Sequence, residues 1–138
     1  PHVIDVVEAM KPGAPLLHVN LGQTLIAQDE PAKVDEGIAE LKKALAAEDD
    51  NAEAWRLMAQ GYDKRGQEGL ARLATAEYQF DIGDMTQARV FAMRAREKLP
   101  KNTPDWRRAT DIVLVSKPSK DDLQQLAREG AIAQSQAR

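Results

Sequence analysis

The residue types that catalysis and metal binding most often use are scarce in this 138-residue chain. Its two histidines, His2 and His18, are far apart in sequence, whereas a zinc site of the HExxH kind needs histidines at positions i and i+4 of one helix. Cysteine is absent, which excludes disulfides, thiol nucleophiles and cysteine-ligated zinc or iron–sulfur sites from these residues. The sequence therefore predicts neither a metal site nor a bound cofactor in this chain.

A hydroxyl nucleophile is equally hard to assemble. The serines are Ser116, Ser119 and Ser135, and no histidine lies near them in sequence. A catalytic triad requires proximity in space rather than in sequence, so this spacing argues against a triad without excluding one. No glycine-rich phosphate loop is present either. We expect no catalytic residue in this chain, which is therefore predicted not to be an enzyme.

Three individual residues could also be assigned a ligand-binding role. His18, Trp55 and Trp106 could each be proposed as a ligand or as part of an aromatic cage. A lone histidine cannot make a zinc site, so we expect His18 at the core edge or the surface. Buried tryptophans more often pack in a core than bind a ligand, and we expect both indoles to do so.

Two charged clusters have an ordinary structural explanation. Acidic residues at 48–50 and Glu53 come where a turn leads into a helix, and the helix dipole favours acids there. Basic residues are concentrated between Arg94 and Arg108, mostly near a helix C-terminus, where cations are favoured. An anionic partner is the alternative, but a solvated face is the preferred interpretation. The net charge of −3 also argues against nucleic acid as the main partner.

The composition indicates an all-α fold. Hydrophobic residues make up 43% of the chain, alanine occurs 22 times, and aromatic residues are few. Alanine and leucine suit closely packed helices, whereas a β-sandwich favours β-branched and aromatic residues. No apolar stretch approaches the roughly 18 residues of a membrane span. The periodicity of apolar residues places the helices at about 2–10, 14–28, 33–47, 52–65, 67–82, 85–98, 104–116 and 120–130.

Local signals support these helix limits. Asp50-Asn51 and Thr103 are predicted N-cap regions, and Pro104 follows at a first helical position. Ser119 and Asp122 form a weak capping box. The chain begins with a short apolar stripe that needs a partner helix, so we interpret its start as a fragment of a longer protein.

The chain also shows internal repetition. Leu21-Gly22-x-x-Leu25 recurs as Met58-Ala59-x-x-Tyr62 with an offset of 37 residues. Other glycines and alanines recur at a spacing of 17 residues, which is half of a 34-residue period. A period of 34 residues is typical of tetratricopeptide (TPR) repeats, which stack helix hairpins into an α-solenoid. On this pattern the small residues Gly22, Ala59, Ala71 and Ala88 are predicted at helix crossings. Trp55, Met58, Ala59 and Tyr62 are predicted to form one buried stripe.

These repeats organise the chain into three parts. Residues 1–12 are predicted to be the trailing helix of a truncated upstream repeat, residues 13–100 the TPR-like repeats, and residues 101–138 capping helices with a frayed tail. The segment 67–82 could either close the second repeat or open a third.

One resemblance goes beyond a generic TPR. Residues 18–45, which begin His-Val-Asn-Leu-Gly, and residues 54–112, which include Ala54-Trp55-Arg56, resemble the C-terminal TPR region of BepA-type bacterial HExxH zinc metalloproteases. The resemblance implies a periplasmic protein whose zinc lies in an N-terminal protease domain, with the TPR region serving as an interaction module. The HExxH motif itself does not occur here, so no catalytic residue can be transferred to this chain.

The sequence thus predicts a non-catalytic module that binds a partner or substrate protein in a concave groove. The partner would be a protein or peptide, or the parent's own catalytic domain. The alternatives are a stand-alone TPR adaptor and a region that contributes to the parent protease's substrate channel. The predicted groove residues, on the first helix of each hairpin, are Val19, Gln23, Ile26, Arg56, Gln60 and Asp63.

Overall fold

The computed structural model describes residues 14–138, which are all-helical and contain no strand. The expected all-α class is therefore confirmed for these residues. The predicted helix 2–10 lies outside the described residues. The helices are α1 (Pro15–Ala27), α2 (Pro31–Ala47), α3 (Ala52–Lys64), α4 (Glu68–Asp81), α5 (Met85–Lys98), α6 (Pro104–Val115) and α7 (Lys120–Arg128), followed by a 3-10 helix (Gln134–Ala137).

The helix starts follow the capping signals in the sequence. The side chains of Asn51 and Thr103 accept hydrogen bonds from backbone N–H groups of the first turns of α3 and α6. Ser119 and Asp122 form a reciprocal capping box, with N···O distances of 3.2 and 3.1 Å. All of these caps were predicted, because capping depends on residues that are close together in sequence.

The turns that separate the helices require unusual backbone conformations. Gly66 and Gly83 have φ values of +71° and +88°, in the left-handed region that glycine adopts without steric cost. In the first turn Asp29 takes this role with a φ of +63°. Within each unit such short turns reverse the chain, so α1 and α2, and likewise α4 and α5, pack as antiparallel neighbours.

The chain divides into two compact units between Gln67 and Glu68. In the first unit α1 packs against α2, α2 packs against α3, and α1 also contacts α3. The backbones of α1 and α2 come close, because a Cβ atom added to Gly37 would lie 2.8 Å from the carbonyl oxygen of Gly22. Ile26, Leu41 and Leu57 are buried in this unit.

The second unit repeats the pattern of contacts. Within it α4 packs against α5, α5 against α6, and α4 also contacts α6, while α7 packs on α6. The helix predicted at 67–82 thus forms a hairpin with the helix that follows it. The buried core of this unit consists of Leu73, Ala76, Ala88, Ala92, Ala95, Ala109, Ile112, Val113 and Leu126.

The end of the chain differs from the expected frayed tail. Residues Gln134–Ala137 form a 3-10 helix that packs on α7. Ala137 is only 7% exposed, and the side-chain amide of Gln134 donates a hydrogen bond to the carbonyl of Ala127. Ala131 and Ile132 pack against the core of the unit, so the tail has more apolar surface to bury than its composition suggested.

The buried side of α3 corrects one prediction. Trp55 and Ala59, expected in the buried stripe, are partly exposed. The buried residues of α3 are Ala54, Leu57, Met58, Gly61 and Tyr62. Gly61 explains why this side of α3, and not the predicted one, faces α2. A Cβ atom on Gly61 would lie 2.8 Å from Cγ1 of Ile38 on α2. Gly61, rather than Ala59, is the small residue at this crossing, whereas Gly22, Ala71 and Ala88 are buried as predicted.

Candidate partner-binding surface

Two of the six predicted groove residues belong to the core. Val19 is 5% exposed and Ile26 is 2% exposed. Ile26 packs between helices: its Cγ1 atom lies 2.8 Å from the position of a Cβ on Gly37, and its Cδ1 atom lies 3.2 Å from that on Gly61. The prediction that Val19 and Ile26 line a groove is therefore wrong, since both side chains are buried and Ile26 fills space between α1, α2 and α3.

The other four residues lie on the surface of the first unit. Gln23 on α1 and both Gln60 and Asp63 on α3 are exposed, and Arg56 on α3 is partly exposed. Arg56, Gln60 and Asp63 are spaced four and three residues apart, so they share one side of α3. We call Gln23, Arg56, Gln60 and Asp63 the polar face.

The two helices that carry the polar face are tied together at one end. The ammonium group of Lys64 on α3 donates a hydrogen bond of 3.0 Å to the carbonyl of Ile26 on α1. It also pairs with Asp29 at 3.2 Å. Because the antiparallel α2 lies between them in sequence, α1 and α3 run in the same direction. The two helices are thus parallel neighbours in the first unit.

One residue of the polar face, Arg56, forms an ion pair with Glu53 on the same helix. Nε of Arg56 donates to the Glu53 carboxylate at 2.9 Å, and its NH2 group donates to the other oxygen of that carboxylate. These hydrogen bonds lower the pKa of Glu53, burial partly opposes the shift, and the charge of Arg56 reinforces it. Both side chains are partly exposed, so the pair contributes little to stability and presents both charge signs to the solvent.

His18 occupies a structural position. It is 1% exposed, and its Nδ1 atom lies 2.6 Å from the carboxylate of Glu40 on α2. The other carboxylate oxygen of Glu40 accepts a 3.0 Å hydrogen bond from Lys43. This buried pair joins α1 to α2. In residues 14–138 there is no cluster of three or more histidine, aspartate or glutamate side chains placed to hold a metal ion.

Three of the six basic residues between Arg94 and Arg108 form ion pairs within the second unit. Arg96 pairs with Glu129 at 3.1 Å, Lys98 with Glu68 at 3.5 Å, and Arg108 binds Glu77 through two hydrogen bonds. The hydrogen bonds from Arg108 to Glu77 raise the pKa of that guanidinium, although burial opposes the shift. These pairs account for half of the basic residues between Arg94 and Arg108 without an anionic partner.

The structure buries charged residues that the sequence did not reveal. Glu40, Glu77 and Arg96 are 1%, 6% and 4% exposed. Arg96 donates a 2.8 Å hydrogen bond to Thr110, and its guanidinium lies 4.4 Å from the centre of the Trp106 ring. The only sequence signal is the position of Arg96 directly after Ala95 on the buried side of α5. Its partners are too distant in sequence to be inferred from spacing.

The two tryptophans differ in environment. Trp106 is 3% exposed and packs on Arg96, as expected for a core residue. Trp55 is only partly buried, and its indole N–H donates a 3.0 Å hydrogen bond to the carbonyl of Asp49. Trp55 thus fastens the turn before α3 instead of filling the core.

In the part of the chain that the structure describes, no helix is both long enough and apolar enough to cross a membrane. The chain matches no protein-family model, and comparison with curated proteins and with solved structures found no significant match.

Proposed function

We propose that this chain is a non-catalytic protein-interaction module of the TPR kind, which binds a segment of a protein partner on the polar face. One observation carries the proposal. In each unit a hairpin is followed by a third helix that contacts the first helix of the hairpin. This is the contact pattern by which TPR-like repeats place their first helices side by side.

The chemistry of the polar face favours a peptide over a polyanion. It combines amides at Gln23 and Gln60 with an acid at Asp63 and the ion-paired Arg56. Amides can both donate and accept hydrogen bonds, as backbone groups of an extended segment do. A nucleic acid would require an excess of exposed basic residues, whereas this face carries both signs.

The parent protein is proposed to be a periplasmic zinc metalloprotease of the BepA type, on the resemblance of residues 18–45 and 54–112. Its zinc and its catalytic residues would lie in a separate domain, and the partner would be a substrate, an assembly partner or that catalytic domain. The polar, exposed character of Gln23 and Gln60 also suits a stand-alone adaptor or a wall of the protease's substrate channel.

The test is a double substitution in the intact protein, Arg56→Glu with Gln60→Ala, followed by quantitative affinity purification from the native cells. Proteins enriched by the wild type should be lost. The melting temperature should change by only a degree or two, because exposed substitutions usually cost less than about 0.5 kcal/mol. Lys42→Glu is the matched control, since it reverses one exposed charge on α2 of the same unit. Equal enrichment by all three proteins would rule out the polar face.

A further inference from the structure

The contacts of Lys64 set the register of α3 against α1. Its ammonium group donates a 3.0 Å hydrogen bond to the carbonyl of Ile26, so these two residues lie at about the same height along the two parallel helices. Gln60 lies one turn before Lys64, and Gln23 lies about one turn before Ile26. The two exposed amides are therefore nearly level with each other on neighbouring helices.

The exposed side of α1 extends beyond Gln23 toward the start of that helix. Four residues of α1 are exposed at spacings of four, three and four, so they share one side of the helix. They are Leu16, Asn20, Gln23 and Ala27. Leu16, in the first turn, is 69% exposed. The row of exposed residues that includes Gln23 thus ends in an apolar side chain.

The opposite end of the polar face carries an uncompensated negative charge. Asp63 is exposed and forms no ion pair within residues 14–138. The neighbouring Lys64 is paired with Asp29, and Arg56 is paired with Glu53, so neither cation neutralises Asp63. A cation on a bound partner would be the electrostatic complement of this charge.

The two amides between these ends have no partner inside the described part of the chain. Gln23 and Gln60 make no hydrogen bond within residues 14–138. Each amide can donate and accept hydrogen bonds, so together they can bind both the N–H and the C=O groups of an extended backbone. Such bonds hold a segment without selecting its sequence, which leaves Leu16 and Asp63 to select side chains.

The register also gives the distance between the two selecting side chains. Leu16 lies ten residues before Ile26, and Asp63 lies one residue before Lys64, so they are roughly 13 Å apart along the helix axes at about 1.5 Å per residue. Neighbouring helix axes are about 8–10 Å apart, which makes the diagonal about 16 Å. An extended segment covers that distance in about five residues.

We propose that the polar face selects an extended segment in which an apolar residue and a lysine or arginine lie about five positions apart. The apolar side chain packs on Leu16, the backbone binds Gln23 and Gln60, and the cation pairs with Asp63. This inference rests on the proposed function and adds the chemistry of the segment that is bound.

Selection from a phage-displayed library of random dodecapeptides on the immobilised full chain tests this preference. The enriched peptides should place an apolar residue about five positions from a lysine or arginine. One enriched peptide, synthesised with a fluorescein label, then gives a Kd by fluorescence anisotropy for the wild type and for each variant.

A charge exchange tests the ion pair with Asp63. Asp63→Lys should weaken binding about tenfold, because it removes an ion pair and brings two like charges together. Replacing the basic residue of the peptide with glutamate should restore binding to that variant. Leu16→Ser should also weaken binding. Asp50→Lys is the matched control, since it reverses an exposed acid of the same unit outside the polar face, and it should leave the Kd unchanged.

The possible failures are distinguishable. Suppose that enriched peptides lose affinity for the Arg56→Glu, Gln60→Ala variant but lack the expected pair of residues, or bind Asp63→Lys as tightly as the wild type. The polar face would then remain the binding surface, and the selectivity inferred here would be wrong. If no peptide is enriched, or if the double substitution leaves binding unchanged, both the selectivity and the proposed function are overturned.

Discussion

The two units solve the same packing problem with different small residues. In the first unit helices approach through glycines, since a Cβ atom on Gly22, Gly37 or Gly61 would lie less than 3 Å from a neighbouring atom. In the second unit Gly69 is also tightly placed, but the core contains five fully buried alanines, among them Ala88. Glycine permits a closer approach but lowers helix stability by about 1 kcal/mol relative to alanine. The first unit therefore gains proximity at the expense of intrinsic helix stability.

The two units also differ in how many segments their buried charged residues contact. The first unit buries Glu40, which contacts His18 on the adjacent helix and Lys43 on its own helix. The second unit buries Arg96, which contacts Thr110 and Trp106 on α6 and Glu129 after α7. One side chain thus connects three segments. We infer that the second unit depends on a single residue more heavily than the first does.

The largest expected effect tests this dependence. Arg96→Ala should destabilise the protein by about 3 kcal/mol or more, because removing one partner of a buried ion pair leaves an uncompensated charge. Urea denaturation followed by circular dichroism would measure it. Lys98→Ala removes an exposed ion pair from the same helix and should cost less than about 1 kcal/mol. Similar losses in the two variants would contradict the special role of Arg96.

The second-largest expected effect concerns the buried charged residue of the first unit. Glu40→Gln should cost about 1.5–3 kcal/mol, since a hydrogen bond to a charged group is worth roughly that much. The loss should be smaller than for Arg96→Ala because fewer contacts are removed and the side chain keeps its size. The same denaturation experiment applies, and a loss larger than that of Arg96→Ala would reverse the ranking of the two units.

A pair of enlarged alanines tests the helix crossings. Ala71→Leu should destabilise by about 1–3 kcal/mol, the usual cost of overpacking a core, because Ala71 is 4% exposed. Ala59→Leu should cost clearly less, because Ala59 is partly exposed. The melting temperatures of the two variants would show which substitution destabilises the protein more. Equal destabilisation would favour the buried stripe that the sequence repeat predicted.

The smallest effect distinguishes the glycines of the first unit from one another. Gly37→Ala should destabilise by about 0.5–2 kcal/mol, because its Cβ would meet the backbone oxygen of Gly22 and the clash outweighs the gain in helix propensity. Gly61→Ala would meet side-chain atoms of Ile38 and Ile26 rather than backbone, so its cost should be smaller than that of Gly37→Ala. Differential scanning calorimetry would resolve the two. Stabilisation by Gly37→Ala would show that close approach is not required there.

The sequence predicted the helices well because their limits depend on local signals. Asn51, Thr103 and the pair Ser119 and Asp122 cap helices as expected, and the helix bounds agree within two residues. The predicted side of α3 was less accurate. The repeat pattern placed Trp55 and Ala59 inside, but the packing of Gly61 under Ile38 decides the rotation, and a glycine carries no hydrophobic signal.

Two of the six predicted groove residues are buried, for a similar reason. On α1 apolar residues lie on several sides, so that Leu16 is 69% exposed while Val19 is 5% exposed, and the pattern alone does not select the buried side. Polar residues gave a clearer signal, and Gln23, Gln60 and Asp63 are exposed. The partners of Glu40 and Arg96 lie in other helices, so tertiary packing rather than sequence spacing brings them together.

The central claim is that the polar face of the first unit contacts a protein partner. Its most direct test is to place a photo-activatable cross-linking residue at Gln60 of the intact protein in its native cells, with Lys42 on α2 as the matched exposed control position. We expect one discrete protein adduct from position 60 and none from position 42. Equal adducts from both positions, or none from position 60 in folded and abundant protein, would contradict it.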